Sequence, residues 1–468
     1  MGRSARFFGD LGAAIAAGIA AAILTPSDPA LAHAPDAYGF GSRAAAMGSA
    51  VTADATDFSA AYYNPAGLAG ATGVSLSLGY TYAWNGLRMN GLDNDVADVH
   101  GLVGGLVAPG KLFGALPFAF GIATFIPDTG LSRIKALRQE TPRWELYDDR
   151  LSLLFLTASL AVRPASFLEL GGGIAFLAAT RGRFAVTGRA NVLYPYDSEL
   201  RHEVDADLTS IRYPHLGARV RAGSLGFIGL TYRGETKLPL SIDANLKGVV
   251  DFAGVEIPLR YALESRTIDG FLPQQVALGV SFQKIEALRV NVDLTWVNWS
   301  SYESPTARTT TSLAVDPPPG LPLELPENPK PTTPIPPAFE DRFVPRLGLE
   351  YVWSVAGSQR RLPGEAKDRR AVEVPVRAGY VYERSPVPDQ GGVTNFADAD
   401  RHTFTFGAGV SLNAVSQILP GALRLDAHGQ VSVLPERTIK KQNPADFVGD
   451  YTASGVMTTL GATLAAAF

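Results

Sequence analysis

The chain has 468 residues and a net charge of -4 at neutral pH, so no strong basic field favours nucleic acid. It has no cysteine, which excludes a disulfide scaffold, a thiolate metal site and a Cys nucleophile. Only one segment approaches the apolar run of about 20 residues that a membrane helix needs, although a barrel hides its apolar residues in alternate positions.

That run is N-terminal. Arg3 and Arg6 give a positive start, Leu11 to Leu24 an apolar stretch, and Ala32-His33-Ala34 a small-x-small cleavage pattern. Residues 1–34 are therefore predicted to be a signal peptide, and the mature chain to begin at Pro35. A transmembrane anchor is the alternative. It is disfavoured because the run is short and ends in Pro26, Asp28 and Pro29.

Residues 35–72 come next, and within them Gly39 to Leu68 read GFGSRAAAMGSAVTADATDFSAAYYNPAGL. This is too polar and too rich in Gly and Ala for a core helix or a lipid-facing strand. Asn64-Pro65-Ala66-Gly67 is a turn signal, because Pro fixes φ and Asn bonds nearby backbone. We expect a plug, or hatch, lying inside a barrel. Composition alone leaves an exposed extension equally open.

From Gly73 the pattern has period two. Val74, Leu76, Leu78, Tyr80, Tyr82 and Trp84 share one face; Ser75, Ser77, Gly79, Thr81 and Ala83 share the other. The same alternation recurs at Leu288–Trp296, Thr403–Leu412 and Leu423–His428. Strands are predicted near 73–85, 98–108, 116–126, 150–162, 167–179, 213–222, 225–248, 273–284, 287–301, 343–355, 373–384, 401–413, 422–434 and 452–468. Residues 73–468 thus read as all-β, a transmembrane antiparallel β-barrel of about 14 strands. Short links alternate with long ones near Pro127–Asp149, Thr180–Arg212, Asp251–Leu272, Tyr302–Arg342, Arg384–Asp400 and Pro435–Tyr451. Short periplasmic turns and long external loops are the pattern of a barrel. The Arg-rich link Ala356–Val372 breaks it. Within the 302–342 loop, Asp316–Pro337 is expected to form an extended Pro-rich arm.

No catalytic constellation stands out: GxSxG, HExxH and Walker sequences are absent, and no histidines pair at metal-ligand spacing. Neither enzymatic activity nor a cofactor or metal is expected. His428 falls on an inward face, where a structural role is the simpler reading. The inward charges say more. Arg289 and Asp293 share a face, as do Glu373 and Arg377, and Arg424, Asp426 and His428. Charges inside a wall pair across strands or remain solvated. Alternatively, Arg289, Arg377 or Arg424 meets the anionic head group of a passing ligand.

Several blocks together resemble the FadL/OmpP1/TodX family of outer-membrane transporters. They are Gly41-Ser42-Arg43-Ala44 through Met47-Gly48, with Tyr63-Asn64-Pro65-Ala66-Gly67-Leu68; Gly229-Leu230-Thr231-Tyr232-Arg233; Leu272-Pro273, Gly279, Asp293, Trp296 and Trp299; and Val374 to Tyr380 continuing to Ser385-Pro386-Val387-Pro388-Asp389. The resemblance implies a fourteen-stranded barrel closed by an N-terminal hatch, with Asn64, Pro65 and Ala66 as its gating turn. It implies lateral exit at a kink in the third strand, for which Pro117 and Gly121 are candidates. It also implies that the C-terminal Phe468 addresses the barrel-assembly machinery. The implied function is passive transport of hydrophobic molecules, above all long-chain fatty acids, by a monomer in contact with outer-membrane lipids. Aromatic or alkane hydrocarbons are alternative cargoes. A surface structural or adhesive barrel and a barrel lipid enzyme are alternative classes.

Overall fold

The computed structural model describes residues 34–468 apart from 131–139, 148–152, 192–195, 197–198, 253–254, 304–307, 316–329, 333–335, 356–371, 393, 414–420 and 444–445. The signal peptide expected over 1–34 lies outside the described residues except for Ala34, and so do most of the Pro-rich arm and of the Arg-rich link.

The N-terminal segment contains three short helices, α1 (Ala34–Tyr38), α2 (Ser42–Ala46) and α3 (Ala60–Tyr63), then a 3-10 turn at Pro65–Gly70. The strands follow: β1 (Ser75–Met89), β2 (Leu92–Asp93), β3 (Val99–Leu112), β4 (Leu116–Pro127), β5 (Phe155–Ala165), β6 (Leu168–Asn191), β7 (Glu199–Arg221), β8 (Gly226–Arg233), β9 (Thr236–Phe252), β10 (Val255–Leu272), β11 (Gln275–Ile285), β12 (Leu288–Val297), β13 (Arg308–Val315), β14 (Arg342–Val355), β15 (Val372–Glu383), β16 (Arg401–Asn413), β17 (Ala422–Ile439) and β18 (Tyr451–Ala467). With β2, β9, β10 and β13 set aside, the remaining 14 pair antiparallel with their neighbours, and β18 pairs back to β1, closing the barrel. Closure satisfies every edge, which is what lipid demands of a spanning sheet.

The alternation decides which way the barrel faces. Leu76 and Leu78 are 56% and 60% exposed, whereas Ser77 and Ala83 between the apolar positions are 4% and 0% exposed. The same inversion holds on β16, where Phe404 and Phe406 are exposed and Thr403, Thr405 and Ser411 are buried. The outer surface is thus apolar and the lumen polar or small, as in a membrane barrel. At the long-loop end the belt is rimmed by aromatics in two similar clusters. Tyr80 OH lies 3.1 Å from His100 Nδ1, and Tyr82 OH donates to Asp98 at 3.1 Å. In the second, Tyr380 OH lies 2.8 Å from His402 Nδ1, and Tyr382 OH donates to Asp400 at 2.7 Å. Rings with one polar tip belong at a lipid–water boundary.

Two expectations are corrected at the long-loop end. The predicted strand 225–248 is two strands, β8 and β9, separated at Gly234. The predicted loops Thr180–Arg212 and Asp251–Leu272 are largely strand. β6 and β7 have 24 and 23 residues, far more than the roughly 9–11 that span a bilayer. They continue outward and join β9, β10 and β13 in an external sheet of order β7-β6-β9-β10-β13. The edge of β6 that holds β5 in the barrel takes β9, in parallel, beyond it. Period-two alternation marks strands but not where along a strand the membrane ends.

Leu464 lies opposite Leu78 in the middle of the apolar belt. Leu464→Arg should cost about 2–4 kcal/mol if it sits at the bilayer midplane. We expect less folded barrel, read as the heat-modifiable fraction on a gel.

Candidate functional site

Residues 40–69 are almost wholly buried, and they are buried against the inward side of the barrel. The wall is cut back to glycine where they touch it. A Cβ on Gly121 of β4 would lie 2.7 Å from Leu68, and one on Gly348 of β14 would lie 2.6 Å from the Met47 carbonyl. A Cβ on Gly229 of β8 would lie 2.3 Å from the Thr52 carbonyl, one on Gly379 of β15 2.3 Å from the Gly48 amide, and one on Gly407 of β16 2.6 Å from Ala46. Real Cβ atoms do not approach this closely, so Gly229, Gly348 and Gly379, which face backbone atoms, require a bare backbone, whereas at Gly121 the Leu68 side chain would have to shift.

The Asn64-Pro65-Ala66 turn is the most tightly seated part. Asn64 Nδ2 donates to the Thr52 carbonyl at 2.7 Å and to the Ala218 carbonyl of β7 at 3.1 Å. Its Oδ1 accepts from the Ala66 amide at 3.1 Å, capping the 3-10 turn. A Cβ on Gly217 would lie 2.0 Å from Asn64 Oδ1, and one on Gly171 would lie 2.4 Å from the Ala66 amide. One side chain thus joins two parts of the segment to the wall. Phe40 packs against Phe58, Tyr62 and Phe155 with ring centroids 5.2–5.8 Å apart, which fills the space between segment and wall.

Toward the long-loop end, Asp36 of α1 pairs with Arg233 at 3.0 Å and accepts from Tyr62 OH. Arg401 donates to the Ala37 carbonyl at 3.1 Å. A cavity of about 40 Å³ lies here, lined by Asp36, Tyr63, Arg233, Arg346 and Arg401. It has room for only a few waters. Above it the external segments form an apolar cap. Phe271 stacks on Tyr302 at 4.8 Å, and Phe339 meets Trp299, Tyr302 and Phe396 edge-on at 5.9, 5.3 and 5.7 Å. Within the 384–400 loop, burial pushes the Asp398 carboxyl up to about 6, although Ser385 OH donates to it at 2.6 Å.

Toward the short-turn end, the segment meets charge. Arg43 reaches Glu350 of β14 through Nε and Nη2, each at 3.2 Å, and also donates to Asp54. Arg377 donates to Glu350 and to Asp426, both at 2.6 Å, and Arg289 donates to Glu350. Beside this network lies a cavity of about 240 Å³, lined among others by Arg43, Arg289, Glu350, Glu373, Arg377 and Arg424. The three arginines singled out in the sequence therefore share one cavity. They are not equivalent. Arg377 is held by two carboxylates and is 2% exposed, whereas Arg289 is 37% exposed. Arg424 has no ion pair among the described residues.

Pro117 and Gly121 do not mark an irregularity. β4 pairs with β3 without a shift from Leu116 to Pro127, and with β5 from Phe118 to Phe125. Gly121 instead accommodates Leu68. The β15–β16 ladder has a gap at Val374 and Pro375, between the pairs Glu373↔Ser411 and Val376↔Ala408, and register shifts occur at Val162/Ala165, Phe282/Ile285 and Leu434/Arg437 in other barrel ladders. Pro375 has no N–H to give, and it lines the same cavity. His428 is buried and its ring nitrogens have no hydrogen-bond partner among the described residues. Sequence reasoning missed Glu350 and the pairing role of Arg43. Glu350 stands between Leu349 and Tyr351, and only the inward parity of its strand, shared with Arg346 and Gly348, could have singled it out.

The architecture has known counterparts. A FadL homologue of Pseudomonas aeruginosa superposes with a TM-score of 0.51 over 94% of this chain and 98% of its own, at 16% identity. The chain has the FadL-type fold. The CymD monoaromatic hydrocarbon channel matches at a TM-score of 0.50 and 17% identity, over 92% of this chain and 97% of that one. The toluene transporter TodX of Pseudomonas putida matches at 0.50 and 14%, over 92% and 99%. These neighbours are transporters or channels, not enzymes, and such a barrel is consistent with the outer membrane. No protein-family model and no curated protein sequence matches the chain.

If the Asn64 turn seats the segment, a Cβ at its cradle should unseat it. Gly171→Ala should leave the barrel assembled but make residues 35–72 cleavable by added protease, and Asn64→Ala should do the same to a lesser degree. Equal resistance of both variants and wild type would contradict this account of the contacts.

Proposed function

We propose that the protein carries hydrophobic molecules passively across the outer membrane, with long-chain fatty acids as the leading cargo. Residues 35–72 act as its hatch. The observation that carries this reading is a lumen filled by the N-terminal segment beneath an apolar cap, inside a barrel whose fold is shared with hydrocarbon channels. A filled lumen does not suit a general hydrophilic porin. A cavity of about 40 Å³ is too small for an acyl chain, so passage needs the segment to move.

The physical case for such a route is simple. Each buried CH₂ stabilises a bound tail by about 0.8 kcal/mol, which draws it out of water and into an apolar passage. Release requires that affinity to fall again, and a displaced hatch would do this without an energy source. Lateral release into lipid would keep the tail dry. In the described state β4 offers no weak seam, and the interruption at Pro375 between β15 and β16 is the better candidate. An anionic head group would meet Arg424 and Arg289 sooner than Arg377, which already has two carboxylates. Aromatic hydrocarbons remain the second reading, favoured by the toluene and monoaromatic cargoes of two structural neighbours.

A reversible lock tests the hatch. Ser42 Oγ of α2 and Thr463 Oγ1 of β18 are 2.8 Å apart, and the chain has no native cysteine. Ser42→Cys with Thr463→Cys should form a disulfide on oxidation. Uptake of labelled oleate should stop when the pair is oxidised and recover on reduction. Uptake indifferent to the lock would remove the hatch from the mechanism.

A further inference from the structure

The charge network at the short-turn end divides along an unusual line. Arg43 and Asp54 both belong to the N-terminal segment and pair with each other. Glu350, Asp426, Arg289 and Arg377 belong to the wall and form their own connected set. Only the fork from Arg43 to Glu350 crosses between the two ion-pair sets. Separating them leaves one cation and one anion on the segment, and two cations and two anions on the wall.

This matters because a broken buried ion pair is costly mainly when one charge is left alone. Here neither ion-pair set is left with an unpaired charge. Glu350 is 1% exposed, yet it retains Arg289 and Arg377 after Arg43 departs. Asp54 retains Arg43. The remaining contacts across this joint are hydrogen bonds to neutral partners, such as Gln283 to Asp54 at 2.7 Å and the Thr52 amide to Asp293 at 2.9 Å. The adjoining cavity of about 240 Å³ reaches Arg43 and Glu350 and gives water access to replace them.

We propose that Arg43, Asp54 and Glu350 form the latch of the hatch, with Glu350 as its fixed half and the Arg43–Asp54 pair as its moving half. They are positioning residues, and they set how often the lumen opens. The inference rests on the hatch reading above. Ion conductance separates the two, because it registers an open lumen whether or not any apolar molecule is a cargo.

The test is the single-channel behaviour of the purified full chain in planar bilayers. Arg43→Gln with Asp54→Asn removes the moving half as a neutral unit. The fraction of time spent open should rise about tenfold, equivalent to about 1.4 kcal/mol. A folded double variant, judged by heat-modifiable migration, that opens no more often than wild type would overturn the latch. Should that variant fail to assemble, Arg43→Lys decides the same point. A lysine is a single point charge and cannot fork to both carboxylates as a guanidinium does. It should raise the open fraction by a smaller factor, and an unchanged open fraction would again overturn the proposal. A purely structural role would alter yield or melting and leave the open fraction of folded protein where it was.

Discussion

Backbone-to-backbone contact between the N-terminal segment and the inner wall is the constraint on which the rest depends. Around the lumen, glycines stand where a Cβ would lie within 2.0 to 2.7 Å of the segment. Packing this close leaves space between segment and wall only in local cavities, the larger beside Arg43 and Glu350. It also explains why a stretch rich in Gly and Ala, unsuited to a membrane or a soluble core, is folded at all. Its small residues are one half of an interface, and the wall glycines are the other. The barrel is then free to turn its large apolar residues outward, because the segment rather than the wall fills the interior.

The two ends of the segment differ in kind. At the turn around Asn64 the Asn64 side chain makes neutral hydrogen bonds to backbone groups, while Arg163, which pairs with Glu169, donates to the Ala69 carbonyl at 2.6 Å. On the opposite side, the joint is ionic and divides into two neutral halves at Glu350. Neutral hydrogen bonds in a tight steric cradle define one position well. A separable ion network lets one side part without leaving an unpaired charge in either ion-pair set. That asymmetry is what a hatch hinged near Asn64 and released near Arg43 would use.

Much of this was legible in the sequence, for a physical reason. Strand alternation has period two and the membrane fixes which face is apolar, so all 14 barrel strands and their facing could be read from Leu76, Leu78, Phe404 and their polar alternates. The external sheet could not: Thr180–Arg212 and Asp251–Leu272 read as loops, and their pairing depends on β9 meeting the edge of β6 beyond β5. The inward placement of Arg289, Arg377 and Arg424 was legible; their unequal freedom was not, because it depends on Glu350 and Asp426 on other strands. Gly121 was read as a source of irregularity in the wall. The sequence pattern cannot tell a glycine that bends a strand from one that makes room for Leu68.

The central claim is that this barrel passes apolar molecules. Its most direct test is uptake of labelled oleate, and in parallel of labelled toluene, by cells that lack their own carriers and display this protein in the outer membrane. The account predicts protein-dependent uptake of at least one of the two, saturable and independent of an energy source. No protein-dependent uptake of either, with the barrel folded and surface-exposed, would contradict it.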